Sequence, residues 1–328
     1  MSIREVSLTD VHHAHQRIRP LAIRTPLIES QQLSEMLGIR LGLKLENLQV
    51  TGSFKVRGAA NKLLSLSTQE SERGVITVSS GNHGRAVAYV ARRLGIHAVI
   101  CLSEAVPPGK VEVIQGLGAE VVICGKTYDE AAEEAQRIQN DRGLTMVHPF
   151  DDPLIIAGQG TIGLELLEDF PQISTAIVPL SGGGLISGIA LALKSTDPSI
   201  QVIGVTMERG PAMFQSLRAG KIVEVVEEPT LADALAGGIG FDNVYTFRMV
   251  QEYVDDTVLV SEEEIAGAMA FALEKHRLIV EGGGVVGIAS VLYRKVKGLG
   301  EGVVVVVSGA NVELSTLFEV AREQGVLQ

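Results

Sequence analysis

The chain has 328 residues, 46% hydrophobic and 20% charged, with a formal net charge of −11. That is enough apolar chain for one large buried core or two smaller ones, and the acidic balance leaves no basic stripe to neutralise a nucleic-acid backbone or an anionic membrane surface. No uncharged run approaches the roughly 18 residues of a spanning helix, and charges interrupt the opening MSIREVSLTD where a secretory signal would be apolar. A cytoplasmic protein is expected. Cys101 and Cys124 read as free thiols, since they lack both a disulfide framework and metal-ligand spacing.

In chain order, a helix capped at Thr9 or Asp10 is expected first, with His12, His13 and His15 on an exposed face and no metal assigned to them. Short Val- and Ile-rich runs then alternate with amphipathic stretches. The runs at 74–78, 97–102, 120–124, 176–180, 201–206 and 303–308 have the look of buried parallel strands. Helical patterns cover 82–94, 127–141, 187–194 and 261–276, so an open α/β sheet wound on both faces is expected. The segment His148-Pro149-Phe150-Asp151-Asp152-Pro153 breaks both periodicities and is a candidate boundary.

Four motifs lie where such a fold gathers ligands. In Thr51-Gly52-Ser53-Phe54-Lys55-Val56-Arg57-Gly58, Ser53 can cap a helix that puts Lys55 in its first turn. A cation there opposes the helix dipole unless it is neutralised, for instance in an imine; alone, it reads as a solvated surface lysine. Ser79-Ser80-Gly81-Asn82-His83-Gly84 joins a strand to a helix and can grip a carboxylate, or be a simple cap and turn. Ser181-Gly182-Gly183-Gly184-Leu185-Ile186-Ser187-Gly188 follows the run at 176–180 and forms a phosphate cradle. A structural turn and a dinucleotide fold, with Glu208 as the ribose carboxylate, are the rival readings, although Ser187 stands where the third glycine of that fingerprint belongs. The last core strand ends in Ser308-Gly309-Ala310-Asn311, at the edge where open sheets bind ligands.

Taken together and in this order, the four motifs resemble the threonine dehydratase and serine racemase group of the fold type II pyridoxal-phosphate enzymes. The resemblance implies a tryptophan synthase β-like architecture of two open doubly wound sheets. A small domain, 77–150, would be inserted into a larger one made of 1–76 and 151–328. It implies pyridoxal phosphate as cofactor, with Lys55 as its Schiff-base lysine and Phe54 beside the ring. Asn82 would bond the ring hydroxyl, Ser181, Gly182, Gly183, Gly184 and Leu185 would hold the phosphate, Gly238 and Glu281 would line the ring, and Ser308 would face its nitrogen. Ser79, Ser80, Gly81, Asn82 and His83 would hold the substrate carboxylate.

The implied activity is removal of a β-hydroxyl from a small hydroxy amino acid to give a 2-oxo acid and ammonia. A neutral Ser308 favours elimination over transamination, because it does not keep the ring nitrogen protonated. Ser80 occupies the place of the opposite-face base in racemases of the group, so amino-acid racemisation is the alternative; a non-catalytic nucleotide- or ligand-binding protein is the alternative of another class. Thr206, Gly210 and Ala212 stand where cation-binding members carry their ligands, so no metal is expected. The chain leaves no room after Asn311 for the regulatory domain of biosynthetic threonine dehydratases, so feedback by isoleucine is not expected. Residues 208–240 look closest to the dehydratases of hydroxyectoine breakdown, which implies a hydroxylated diaminobutyrate as a possible substrate. A homodimer is expected by analogy.

Overall fold

The computed structural model describes residues 4–126 and 128–327, without the side chains of Tyr128 and Asp129. The helices are α1 (Leu8–Ile18), α2 (Gln31–Leu37), α3 (Lys55–Leu63), α4 (Thr68–Arg73), α5 (Asn82–Leu94), α6 (Pro108–Gly116), α7 (Tyr128–Arg142), α8 (Pro153–Asp169), α9 (Gly184–Thr196), α10 (Ala212–Ala219), α11 (Thr246–Tyr253), α12 (Glu262–His276), α13 (Gly282–Leu292) and α14 (Leu314–Glu323). The strands are β1 (Leu27–Glu29), β2 (Arg40–Leu45), β3 (Val75–Val78), β4 (Ala98–Leu102), β5 (Glu120–Ile123), β6 (Thr145–Met146), β7 (Thr175–Pro179), β8 (Gln201–Met207), β9 (Asp256–Val260) and β10 (Gly302–Val307). They form two sheets, ordered β1-β2-β10-β7-β8-β9 and β5-β4-β3-β6. Every pairing is parallel except that of β1 with β2.

The expected α/β architecture is present. Strand β10 shows why its valine run marks a centre: Val303, Val305 and Val307 enter the core under α12 and α13, while Val304 and Val306 enter the opposite core with residues of α8 and α9. A strand buried on both faces has no polar alternation to display. The second sheet is likewise covered by α3 and α5 on one side and α7 on the other. All six expected strands are found within one or two residues of their expected ends, and the four expected helices are present. The expected helix start at Thr127 lies outside the described residues.

Strand β2 is missing from the sequence reading for a physical reason. Its Arg40-Leu41-Gly42-Leu43-Lys44-Leu45 alternates like a half-exposed strand, yet all but Arg40 are buried, because Lys44 is neutralised inside the protein. At the N-terminus, the cap of α1 is Ser7, one residue before the helix, in a reciprocal capping box with Asp10; Thr9 and Asp10 already lie within it.

Helix α8 joins the two glycine-bearing helices of the candidate site. A Cβ on Gly158 would lie 2.6 Å from the Cα of Gly58 in α3, and one on Gly188 in α9 would lie 2.3 Å from the carbonyl of Ile156 and 2.5 Å from the nitrogen of Gly160. The helices therefore meet backbone to backbone, a contact that has no room for a methyl group. Gly188→Ala is expected to cost roughly 1–3 kcal/mol by overpacking, to be checked as a lowered Tm against the parent protein.

Candidate active site

Lys55 begins α3, and main-chain ties from the end of β10 decide where that helix starts. Ser53 forms an antiparallel bridge with Gly309, the Phe54 N–H donates to the Ser308 carbonyl at 3.1 Å, and the Ala310 N–H donates to the Gly52 carbonyl at 2.8 Å. The expected Ser53 cap is not formed: Phe54 is the N-cap, with no side-chain bond. Ser53 Oγ is buried without a partner among the described residues, because the bridge holds its main chain away from the cap geometry.

Two residues along α3, Arg57 is buried and bidentate to two carboxylates. Its Nε and Nη2 donate to Glu46 at 2.8 and 2.7 Å, and its Nη1 and Nη2 donate to Glu165 of α8 at 2.6 and 2.9 Å. Lys44 of β2 completes the group, 2.6 Å from Glu165 and donating to the Thr25 carbonyl at 2.7 Å. Two cations and two carboxylates cancel, which makes the burial tolerable. The guanidinium holds the Glu46 carboxyl below its usual range despite the opposing effect of burial.

The half-buried Lys55 sends Nζ to the carbonyl of Pro149 at 2.7 Å, with the Phe54 ring centre 5.3 Å away. Burial pulls its pKa down to about 8, with the Glu281 carboxylate opposing. A lysine near pH 8 keeps a useful fraction of free amine at neutral pH, as an imine-forming nucleophile requires.

Two helix starts lie close by: α9, packed against Phe150 next to the Pro149 carbonyl, and α5, whose His83 senses the Lys55 charge. At α9, Gly183 is the N-cap with φ 89°, and the helix has no side-chain cap. A Cβ on Gly182 would lie 2.3 Å from the Phe150 ring, Ser181 Oγ donates to the Leu235 carbonyl at 2.9 Å, and the hydroxyl of Ser187 in the first turn is buried without a partner among the described residues. Leu185 is buried beneath this turn. An uncapped helix N-terminus, a glycine cradle and an orphaned hydroxyl fit a phosphate group.

At α5, Ser79 Oγ accepts from the Gly81 N–H at 3.3 Å, and a Cβ on Gly84 would lie 2.1 Å from the Ser79 carbonyl. Ser80 and Asn82 are half-buried at this turn. His83 is 2% exposed, with Nε2 2.9 Å from the Val147 carbonyl. A carbonyl only accepts, so Nε2 carries the proton; burial pushes the pKa down to about 3 and the ring is neutral. Its Nδ1, an acceptor without a partner among the described residues, cannot serve a carboxylate, so His83 has only its main-chain N–H to offer one.

Beyond β10, Ser308 and Glu281 are each 4% exposed. Asn82 Nδ2 donates to Glu281 Oε1 at 2.6 Å, Asn311 Nδ2 donates to Asn82 Oδ1, and Arg85 Nη1 donates to Asn311 Oδ1 at 3.1 Å. Burial raises the Glu281 carboxyl to about 7 against the lowering effect of its bond from Asn82. The structure thus brings Lys55, Asn82, Glu281 and Ser308 around one place. Gly238 is exposed, and a Cβ there would meet nothing within 4 Å; its loop reaches the site through the Leu235 carbonyl that holds Ser181.

Three site residues escaped the sequence reading. Pro149 supplies a carbonyl, Phe150 an aromatic wall, and Arg85 a cation one turn into α5. None has a motif. The nearest signal is the density of turn formers at 148–153, where Asp151 accepts from the N–H groups of Val244, Tyr245 and Thr246 at the start of α11, and Asp152 caps α8.

Residues 18–309 match the family model described as pyridoxal-phosphate dependent enzyme, and the chain belongs to that family. It is 46% identical over 318 residues to an L-threonine ammonia-lyase of Thermotoga maritima, covering 97% of this chain and 79% of the relative. It is 43% identical over 327 residues to a catabolic L-threonine dehydratase of Staphylococcus aureus, covering 98% and 92%. The structure of maize serine racemase superposes with a TM-score of 0.91 at 35% identity, covering 98% of both chains. The chain is therefore a fold type II enzyme that uses pyridoxal phosphate, and within that class a lyase. Among the described residues no helix is long and apolar enough to cross a membrane.

Arg57→Met is expected to destabilise the protein by about 3–5 kcal/mol, because Glu46 and Glu165 would be left buried with too little positive charge; denaturant unfolding measures it. A second expectation concerns pH. Since the Lys55 pKa is lowered to about 8, attachment of pyridoxal phosphate to the apoprotein speeds up as pH rises through 8, well below the ordinary lysine range; stopped-flow absorbance of apoprotein mixed with cofactor would follow it.

Proposed function

We propose that the enzyme removes the β-hydroxyl from a small hydroxy amino acid, threonine or serine in type, to release a 2-oxo acid and ammonia. The observation that carries this is the Lys55 amine, whose pKa burial lowers to about 8, at the foot of α3 where that helix is tied to the end of β10. Relatives named as L-threonine ammonia-lyase and L-threonine dehydratase support the substrate class.

In this reading Ser181 to Leu185 hold the cofactor phosphate, Phe54 flanks the ring, Asn82 bonds the ring hydroxyl, Gly238 and Glu281 line the far side, and Ser308 meets the ring nitrogen without a charge. Bound pyridoxal phosphate supplies the electron sink that acidifies the substrate α C–H. Ser79, Ser80, Gly81, Asn82 and the main-chain N–H of His83 take the α-carboxylate at the start of α5, which points that C–H at Lys55. The free amine of Lys55 then removes the α-proton. Its pKa suits it to accept a proton and return it near neutral pH. The unit containing 77–150 carries the carboxylate loop, so its approach to the rest of the chain, 1–76 and 151–328, excludes water once substrate is bound.

A second reading is racemisation. It draws on the likeness to serine racemase and on Ser80, which we place on the face of the substrate opposite Lys55, where a second base delivers or removes the α-proton. The enzyme acts in the cytoplasm as a homodimer in either reading.

The test follows ammonia, 2-oxo acid and substrate chirality together across L-threonine, L-serine, 3-hydroxyaspartate and hydroxylated diaminobutyrates, the last representing the hydroxyectoine-derived substrate. Release from L-threonine or L-serine is expected; inversion without release would replace the lyase reading with the racemase. Lys55→Ala should remove both the visible colour of the holoenzyme and all turnover. Ser80→Ala should lower any inversion by about 10²-fold or more while elimination from the L-enantiomer persists.

A further inference from the structure

Arg85 is hard to explain as a packing residue. It is half-buried, burial pulls its pKa below the usual arginine value, and its Nε is enclosed without a partner among the described residues. Among the described residues no carboxylate lies within salt-bridge distance of it; the Glu281 charge offsets part of the cost of desolvating the cation, and its side chain bonds Asn311. Arg85 and Asn82 stand three residues apart on α5 and so share one face of the helix. Between them they take both ends of one amide: Asn311 Nδ2 donates to Asn82 Oδ1, and Asn311 Oδ1 accepts from Arg85 Nη1 at 3.1 Å. Asn311 itself is anchored on the other side, with Nδ2 also donating to the Thr51 carbonyl at 2.9 Å. Gly52, with φ 74°, passes so close that a Cβ there would sit 2.6 Å from Asn311 Oδ1.

The chain of bonds has a direction. A guanidinium can only donate and an ionised carboxylate can only accept, so a string that starts at Arg85 and ends at Glu281 has one consistent orientation for the amides of Asn311 and Asn82. In that orientation Asn82 gives its oxygen to Asn311 and one N–H to Glu281 Oε1 at 2.6 Å. The other N–H of the same nitrogen is then the group Asn82 presents to the cofactor.

We propose that Arg85 is a positioning residue: through Asn311 it orients the Asn82 amide and pins the start of α5 against the end of β10, so that the ring-binding N–H is pre-set before the cofactor arrives. This rests on the reading that Asn82 binds the cofactor ring. Arg85 touches neither cofactor nor substrate in that reading. Its influence reaches Glu281 as well, since it is one of the charged groups around that carboxyl, with Asp233 on the opposite loop and Lys55 on α3. Glu281 titrates near 7. The string is complete when it is ionised, and loss of the Arg85 charge raises that midpoint.

The test measures non-covalent pyridoxal phosphate affinity between pH 6 and 8.5 in a Lys55→Ala background, where imine formation and the titration of Lys55 do not contribute. Arg85→Met should weaken binding by about tenfold at pH 7.5, the loss of one charge-assisted bond, and move the pH midpoint upward. Arg85→Lys, another pure donor, should restore most of both. Asn82→Ala serves as the control for the underlying reading: if it leaves affinity unchanged, Asn82 does not bind the ring and that reading falls. If Asn82→Ala weakens binding and Arg85→Met does not, the role given to Arg85 is overturned. Weakening in Arg85→Met with an unmoved midpoint and no restoration by lysine would also overturn it, as the mark of packing alone.

Discussion

The buried guanidinium of Arg57 is the constraint on which the site depends. It ties α3 to Glu46, after β2, and to Glu165 in α8 through four hydrogen bonds. A water-filled or apolar alternative would leave α3 held only by its main-chain ties to the end of β10 and its contact with α8. With two carboxylates satisfied in fixed planes, the register of α3 is decided, and Lys55, two residues earlier, is carried to the Pro149 carbonyl. Buried ion pairs are weak evidence for stability; their directional geometry is what matters here, since a bidentate pair resists rotation in a way an apolar contact does not.

Helix α8 then extends that constraint to the other half of the site. Gly58 meets Gly158, and Gly160 meets Gly188, so the lysine helix and the candidate phosphate helix are both referred to one rod at main-chain distance. The segment before α8 adds the rest. Pro149 receives the lysine amine, Phe150 packs under Gly182 and Gly184, Asp151 holds the start of α11 and Asp152 that of α8. A stretch whose prolines and aspartates suggest a boundary is a junction at which four elements are aligned.

The electrostatics of the centre follow from burial more than from pairing. Burial lowers Lys55 to about 8 and His83 to about 3 and raises Glu281 to about 7. Each shift favours the neutral form. The place where a ring and a small amino acid would sit is thus lined by groups whose charge burial weakens without removing, with the uncapped starts of α5 and α9 beside them. Such an environment suits proton transfer at carbon, because groups that titrate near neutral pH can both take and return a proton.

The sequence by itself determined the parallel α/β class, six of the strands, and the identity of Lys55, the glycine loop, Asn82 and Ser308 as candidates. Hydrophobic runs and glycine clusters are local signals that survive without a fold. What only the tertiary structure decided are the pairings between distant segments. Lys44 and Arg57 look like surface cations until Glu46 and Glu165 arrive beside them; β2 reads as half-exposed until Lys44 is neutralised; Ser53 reads as a cap until Gly309 bridges it. His83 looks like a donor to substrate until the Val147 carbonyl accepts its ring N–H, and Arg85 has no motif at all. In each case the meaning of a polar residue lies in a partner tens to hundreds of positions away, and hydrogen-bond partners, unlike periodicity, leave no trace in the neighbouring letters.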